Sequence, residues 1–331
     1  MKNSIFYIVT LVLIVACTSS PQIDKLELGK PISIQAIEYG KEIIMSNPLG
    51  IEIIENNLYI FQPNGENAAL IMDIDSGNII NSWGRRGNGP GEFYYPIYWG
   101  KTQDTFYLHN VNRYQLRKYT LLDSELTLAK EIEMDKNQFL RHATVLENGC
   151  IVASSIYGTP PPLILLNKQL KTMVNFGDIP DKSHSSESHI TYSHCLSSYK
   201  NMFVVAMHYL GYIACYEQKG DSINKKWEHY LEKPVYKGTE LDRKILKRGF
   251  SDVKMTSKYI FCVYFGKTWD PSGNNQPETI LVFNHEGKLL KNFHLDRSIS
   301  QIAISNDEKT IYAISLEPDI NVIKYQIDDY L

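Results

Sequence analysis

Three histidines, His184, His189 and His194, stand five residues apart in the serine-rich stretch Ser183-His-Ser-Ser-Glu-Ser-His-Ile-Thr-Tyr-Ser-His194. Imidazole is the commonest zinc ligand, and Glu187 would add a carboxylate, so metal-assisted hydrolysis or lyase chemistry is one reading of this segment. A spacing of five, however, places the rings on neither one helix face nor one strand face, and a solvated loop accounts for the pattern equally simply. Nucleophilic catalysis has less support, because no Gly-x-Ser-x-Gly elbow occurs. The segment Gly84-Arg-Arg-Gly-Asn-Gly-Pro-Gly91 is glycine-rich, yet it lacks the Gly-Lys-Ser or Gly-Lys-Thr and the helical context of a phosphate cradle. Cys150, Cys195, Cys215 and Cys262 form no Cys-x-x-Cys pair and lie in or beside apolar runs. Their even number permits disulfides, while their settings favour buried free thiols.

The fifth cysteine carries the clearest chemistry. An apolar run, Ile5 to Ala16, follows Lys2 and is too short to cross a bilayer as a helix. It ends in Ile14-Val15-Ala16-Cys17, followed by the polar Thr18-Ser19-Ser20. This resembles the lipobox of bacterial lipoproteins, in which cleavage before the cysteine frees its amine and its thiolate takes up diacylglycerol. The resemblance implies a signal peptide over residues 1–16, a lipidated Cys17 and a tether over 17–30. Thr18 in place of aspartate implies release from the inner membrane, so the expected location is the outer membrane, facing the periplasm. The membrane is then a partner through the anchor, not through a spanning segment.

From residue 31 to 331 the chain reads as short strands between turn residues. Ile51-Glu-Ile-Ile54, Leu58-Tyr-Ile-Phe61, Ala69–Ile74 and Asn78–Trp83 make a first unit, with turns at Glu55-Asn56-Asn57, Pro63-Asn64-Gly65 and Asp75-Ser76-Gly77. Comparable units recur every 47 residues or so, the scale of a four-stranded propeller blade. Six such units predict an all-β, six-bladed propeller, and the last has only three clear strands. Ile32-Ser-Ile-Gln-Ala-Ile37 is the candidate that completes it and closes the ring, removing exposed edges.

The most specific local pattern is Gly84–Phe93, then Pro96, then Tyr107-Leu-His-Asn-Val-Asn-Arg113 and Lys118-Tyr119. It resembles an NHL-type blade junction. Lipobox, irregular blades and a single such junction together resemble the TolB-like six-bladed propeller lipoproteins of Bacteroidales-type bacteria, a family that implies the fold but no particular activity.

In a propeller the inner strands line a central channel, so a shared site draws residues from where those strands begin. Those positions are Asn47, Tyr95, Arg141 with His142, His194, Asp252 and Gln301. The set would bind a polar or anionic molecule at a channel mouth, or merely hydrate the channel. With Asp252 its only carboxylate, it argues against a paired-acid glycosidase. The loop Thr268–Pro277, carrying Trp269, is a lid, a protein-contact loop or a plain hairpin tip. With 34 basic against 37 acidic residues there is no cationic excess to track nucleic acid. The expectation is a monomeric binding module for a protein, peptide or saccharide, with a channel-centred metal-assisted hydrolase or lyase as the alternative. No cofactor is assigned.

Overall fold

Runs such as Gly50–Ile54 form strands because both of their faces find apolar cover: Ile51, Ile53 and Ile54 lose almost all contact with water, while Glu52 between them stays partly accessible. The computed structural model describes residues 24–40, 45, 48–103, 105–122, 125–137, 140–155, 162–177, 193–238, 240–271 and 273–331. These residues build six blades, each a sheet of antiparallel strands ordered from an inner to an outer strand, and one separate two-stranded hairpin. The inner strands are Gly50–Ile54, Pro96–Thr102, Leu140–Val145, His194–Tyr199, Phe250–Met255 and Ile299–Ile304 for blades 1 to 6. Blades 1 to 5 each supply their own four strands, and the sixth supplies three.

The N-terminal segment closes the ring differently from a single strand added to blade 6. Ile32–Ile34 runs parallel to Leu289–Leu295 and becomes a fifth strand of blade 5. Only Ile37–Glu38 pairs with Asn321–Gln326 and completes blade 6. The split has a physical reason. Ile34 is buried in the core between blades 5 and 6, and the Ala36 amide donates to the Asp296 carboxylate (2.9 Å), which turns the chain from one blade to the next. Upstream, the Leu26 amide donates to the Tyr230 carbonyl of blade 4 (2.8 Å), so one segment laces three blades.

Six apolar clusters occupy the six interfaces between neighbouring blades. Phe61 stacks on Tyr98 between blades 1 and 2, with ring centroids 4.4 Å apart. Each fully buried Ile, Leu or Phe contributes about 1.5–3 kcal/mol, so the ring is held by its blade contacts as much as by its ladders. Cys150, Cys195, Cys215 and Cys262 are free thiols.

The glycine-rich junction is a structural corner. Gly84 has φ +74, and a Cβ there would meet the Ala68 Cβ and the Phe93 ring at 2.9 Å. The loop folds back so that Phe93 is buried and Gly89 donates its amide to the Glu92 carboxylate (2.6 Å). Arg117, 2% exposed, clamps it by donating to the Glu92 carbonyl (2.8 Å) while paired with Glu131 (2.6 Å).

Candidate functional site

Each inner strand starts on one face of the ring, where the blade-to-blade connections run, and ends on the opposite face in a tight turn to the second strand. A cavity of about 530 Å³ lies along the axis. Its wall takes residues from all six inner strands, and it reaches Gln103, Glu147, Lys200 and Thr256, which lie beyond the strand ends on the turn face. Only Leu49 comes from before an inner strand. The cavity therefore reaches further past the ends of the inner strands than before their beginnings.

That placement sorts the residues expected at the channel mouth. His142, Asp252 and Gln301 line the cavity. Tyr95 does not: it sits in the connection between blades 1 and 2 in a left-handed conformation (φ 66), its carbonyl accepting from the Val111 amide. His194 is also absent from the wall, because its side chain is buried at the start of blade 4. Arg141 lies in the inner strand of blade 3, and its side chain is outside the described set, as are Asn47, His184, His189 and Cys17. Among the described residues no group of three or more His, Cys, Asp or Glu side chains is arranged to hold a metal ion.

The residues that dominate the channel are charged side chains of three inner strands, Glu52 in mid-strand and Lys101 and Lys254 near the strand ends. Glu52 of blade 1 faces two ammonium groups, Lys101 of blade 2 at 3.5 Å and Lys254 of blade 5 at 3.7 Å. Both lysines are fixed further by the backbone of blade 1. Lys101 donates to the Ile53 carbonyl (2.6 Å) and Lys254 to the Ile51 carbonyl (3.2 Å). Asp252 completes the array, accepting from the Val253 and Ile302 amides, both at 2.9 Å.

Electrostatics follow from this crowding. Burial pushes the Asp252 carboxyl above the usual range, with Lys254 and the two amides pulling it part of the way back. Burial alone would depress Lys254, yet Asp252 and Glu52 together hold it above its ordinary value. Burial and the facing Glu52 drive the Tyr98 phenol well up, so it stays protonated. His194 is depressed to about 3 by burial and by the charge of His142, and remains neutral. Cys195 is raised by burial and by Asp252, which makes it a poor nucleophile.

Around this array the wall is hydroxyl-rich. Ser198 donates to the Val145 carbonyl (2.7 Å) and so receives the Thr144 hydroxyl (2.8 Å). The Ser197 hydroxyl accepts from the Met255 amide (2.9 Å). Two further donors on wall residues, the Trp99 indole N–H and the Ser251 hydroxyl, are buried without a hydrogen-bond partner. The arrangement suits recognition of a polar group carrying donors and acceptors. A trapped acid–base pair it is not, because Glu52 already faces two cations.

The strand-start positions include Asp252 of this array, but not Glu52, Lys101 or Lys254. The signal available was a lone charge interrupting an apolar run, as in Ile51-Glu52-Ile53, and lysines near the ends of two other inner strands.

A family model of TolB-like six-blade propellers matches residues 28–307. The chain belongs to the TolB-like six-bladed propeller family. Among solved structures, this TolB-like chain is similar to a putative exported protein from Bacteroides fragilis, at 12% identity and a TM-score of 0.57, covering 89% of this chain and 99% of that one. Lower similarity extends to the WD40 repeats of RRP9 (11% identity, TM-score 0.48, 84% and 79% covered) and to BamB from Moraxella catarrhalis (13%, 0.40, 85% and 70%). At such identities the likeness concerns the fold alone. No curated protein matches the sequence.

Proposed function

We propose that this TolB-like propeller is a lipid-anchored envelope protein that binds a protein, peptide or saccharide partner through its central channel. The observation that carries the reading is the Glu52–Lys101–Lys254–Asp252 array in a cavity of about 530 Å³, a volume within the range of ligand sites. Ion pairs that join blades 1, 2 and 5 across an axis give both charge signs to an incoming polar group, and the surrounding hydroxyls add neutral donors and acceptors. The partner enters from the turn face, past Gln103, Glu147 and Lys200. The lipobox supports anchoring at Cys17 on the periplasmic side of the outer membrane, and the exported neighbour from Bacteroides fragilis agrees with an envelope setting.

Affinity capture from envelope extract with the wild-type propeller tests this, repeated with Lys101→Met/Lys254→Met. The reading expects a captured species that the variant loses, and the same recovery with both proteins would contradict it. The mass of the mature N-terminus checks the anchor, which requires acyl chains on a residue 17 that begins the chain.

A further inference from the structure

The connection between blades 4 and 5, residues 231–249, is a long excursion with its own two-stranded hairpin, Tyr236–Lys237 against Glu240–Leu241. It is bound tightly to the ring. Leu241 and Leu246 are buried in the core between blades 3 and 4. Gly249 is pressed so close that a Cβ would stand 2.1 Å from the Met207 and Leu210 carbonyl oxygens. What the excursion turns outward is unusual for this chain. It carries six cations against three carboxylates, in a protein whose net charge is -3. Lys233, Lys237, Arg243, Lys244 and Lys247 are all exposed.

Among these cations lie large exposed apolar side chains, Val235 at 40% and Ile245 at 58%. Trp269, 56% exposed, joins them: Lys247 bridges to Thr268 in the neighbouring loop, and the Arg248 guanidinium lies 5.8 Å from the Trp269 ring centroid. Basic residues interleaved with aliphatic side chains and a tryptophan make the composition of a surface that sits at a lipid–water boundary.

The N-terminal segment arrives at the same rim. Glu232 is held at once by Lys25 (3.2 Å) and Lys247 (3.3 Å), which ties the start of the blade-lacing segment to the connection. Eight residue steps separate Cys17 from Lys25. Fully extended they span at most roughly 28 Å. A bilayer holding acyl chains on Cys17 is thus kept within that reach of Lys25, beside the cationic, apolar rim.

We propose that this rim of blades 4 and 5 docks on the anionic phospholipid headgroup surface of the membrane that holds the Cys17 anchor, with Ile245 and Trp269 at the headgroup level. The proposal rests on the anchoring reading above. It also orients the ring: the docked rim belongs to the face where inner strands begin, so the channel's turn face points away from the bilayer, toward a soluble partner.

The test reconstitutes the mature full chain into vesicles of phosphatidylcholine with or without 30 mol% phosphatidylglycerol, some carrying brominated acyl chains. Tryptophan quenching is measured, and Cys17 acylation is read separately by mass. Docking predicts quenching that requires the anionic lipid, disappears in Trp269→Phe, and is screened by high salt. Each cation near an anionic surface contributes roughly fivefold to partitioning, so Lys237→Gln/Lys244→Gln should weaken the docked state about 25-fold. Acylated protein whose Trp269 is not quenched in the anionic vesicles overturns the docking while leaving the anchor intact. If Cys17 carries no acyl chain, the anchoring reading fails, and docking is then read as co-sedimentation with the same anionic vesicles. Absence of that co-sedimentation, or its survival in the double variant, overturns docking as well.

Discussion

Replacing Lys254 by methionine removes the cation shared by Glu52 and Asp252 and keeps most of the side-chain volume. At 3.7 Å and an effective dielectric of about 20, the pair with Glu52 amounts to about 4 kcal/mol of Coulomb energy. Both side chains are partly accessible, at 20% and 23%, and channel water with the remaining Lys101 reduces the net loss to about 2 kcal/mol. For a domain of this size that is about 4 °C in melting temperature. The pH dependence is more diagnostic than the size. Asp252 is held above its ordinary value, so in the window just above that value the folded chain binds more protons than the unfolded one and stability falls as pH rises. Without Lys254 the folded carboxyl rises further, the window widens, and the deficit relative to wild type grows with pH. Thermal melts at about pH 4 and about pH 7.5 measure this, with the larger deficit expected at the higher pH. An equal deficit at both, or none at either, would refute the claim that Lys254 holds down the pKa of the buried Asp252 carboxyl.

Two other outcomes follow from the geometry. His109 is buried against Trp99 and depressed to about 4 by desolvation, so it resists protonation while an unfolded histidine does not. Stability should therefore fall as pH drops from about 6.5 toward 4, by up to about 3 kcal/mol from this group, and His109→Gln should flatten that part of a melting-temperature profile. Gly249→Ala should cost about 3 kcal/mol or more in a urea titration, because its new Cβ meets two backbone carbonyls that cannot both retreat.

Much of this architecture was legible in the sequence because it depends on local pattern. Short apolar runs between turn residues, repeated every 47 residues or so, mark the blades, and the Gly84–Phe93 segment marks a corner that only glycine conformations allow. The path of residues 32–38 was not legible. Ile32, Ile34 and Ile37 suit any half-buried strand, and only the Ala36–Asp296 hydrogen bond, between residues far apart in the chain, divides them between two blades. The channel residues were half legible for a similar reason. His142, Asp252 and Gln301 reach the axis, while Tyr95 is diverted by a left-handed turn and His194 is buried. Glu52, Lys101 and Lys254 meet only when blades 1, 2 and 5 are curved into one ring. Blade count can be read from a repeat; where a strand touches the axis depends on how far each blade is threaded toward it.

Blocking the turn-face mouth after folding tests the binding claim most directly. Glu147 is exposed at that rim, and the native thiols that line or underlie the channel are buried or raised by burial. Glu147→Cys can therefore be labelled with a bulky maleimide on the folded protein. Titration of the species recovered by affinity capture should show wild-type affinity for the unlabelled variant and at least tenfold weaker binding after labelling. Unchanged affinity in the labelled protein would contradict a channel site reached from the turn face.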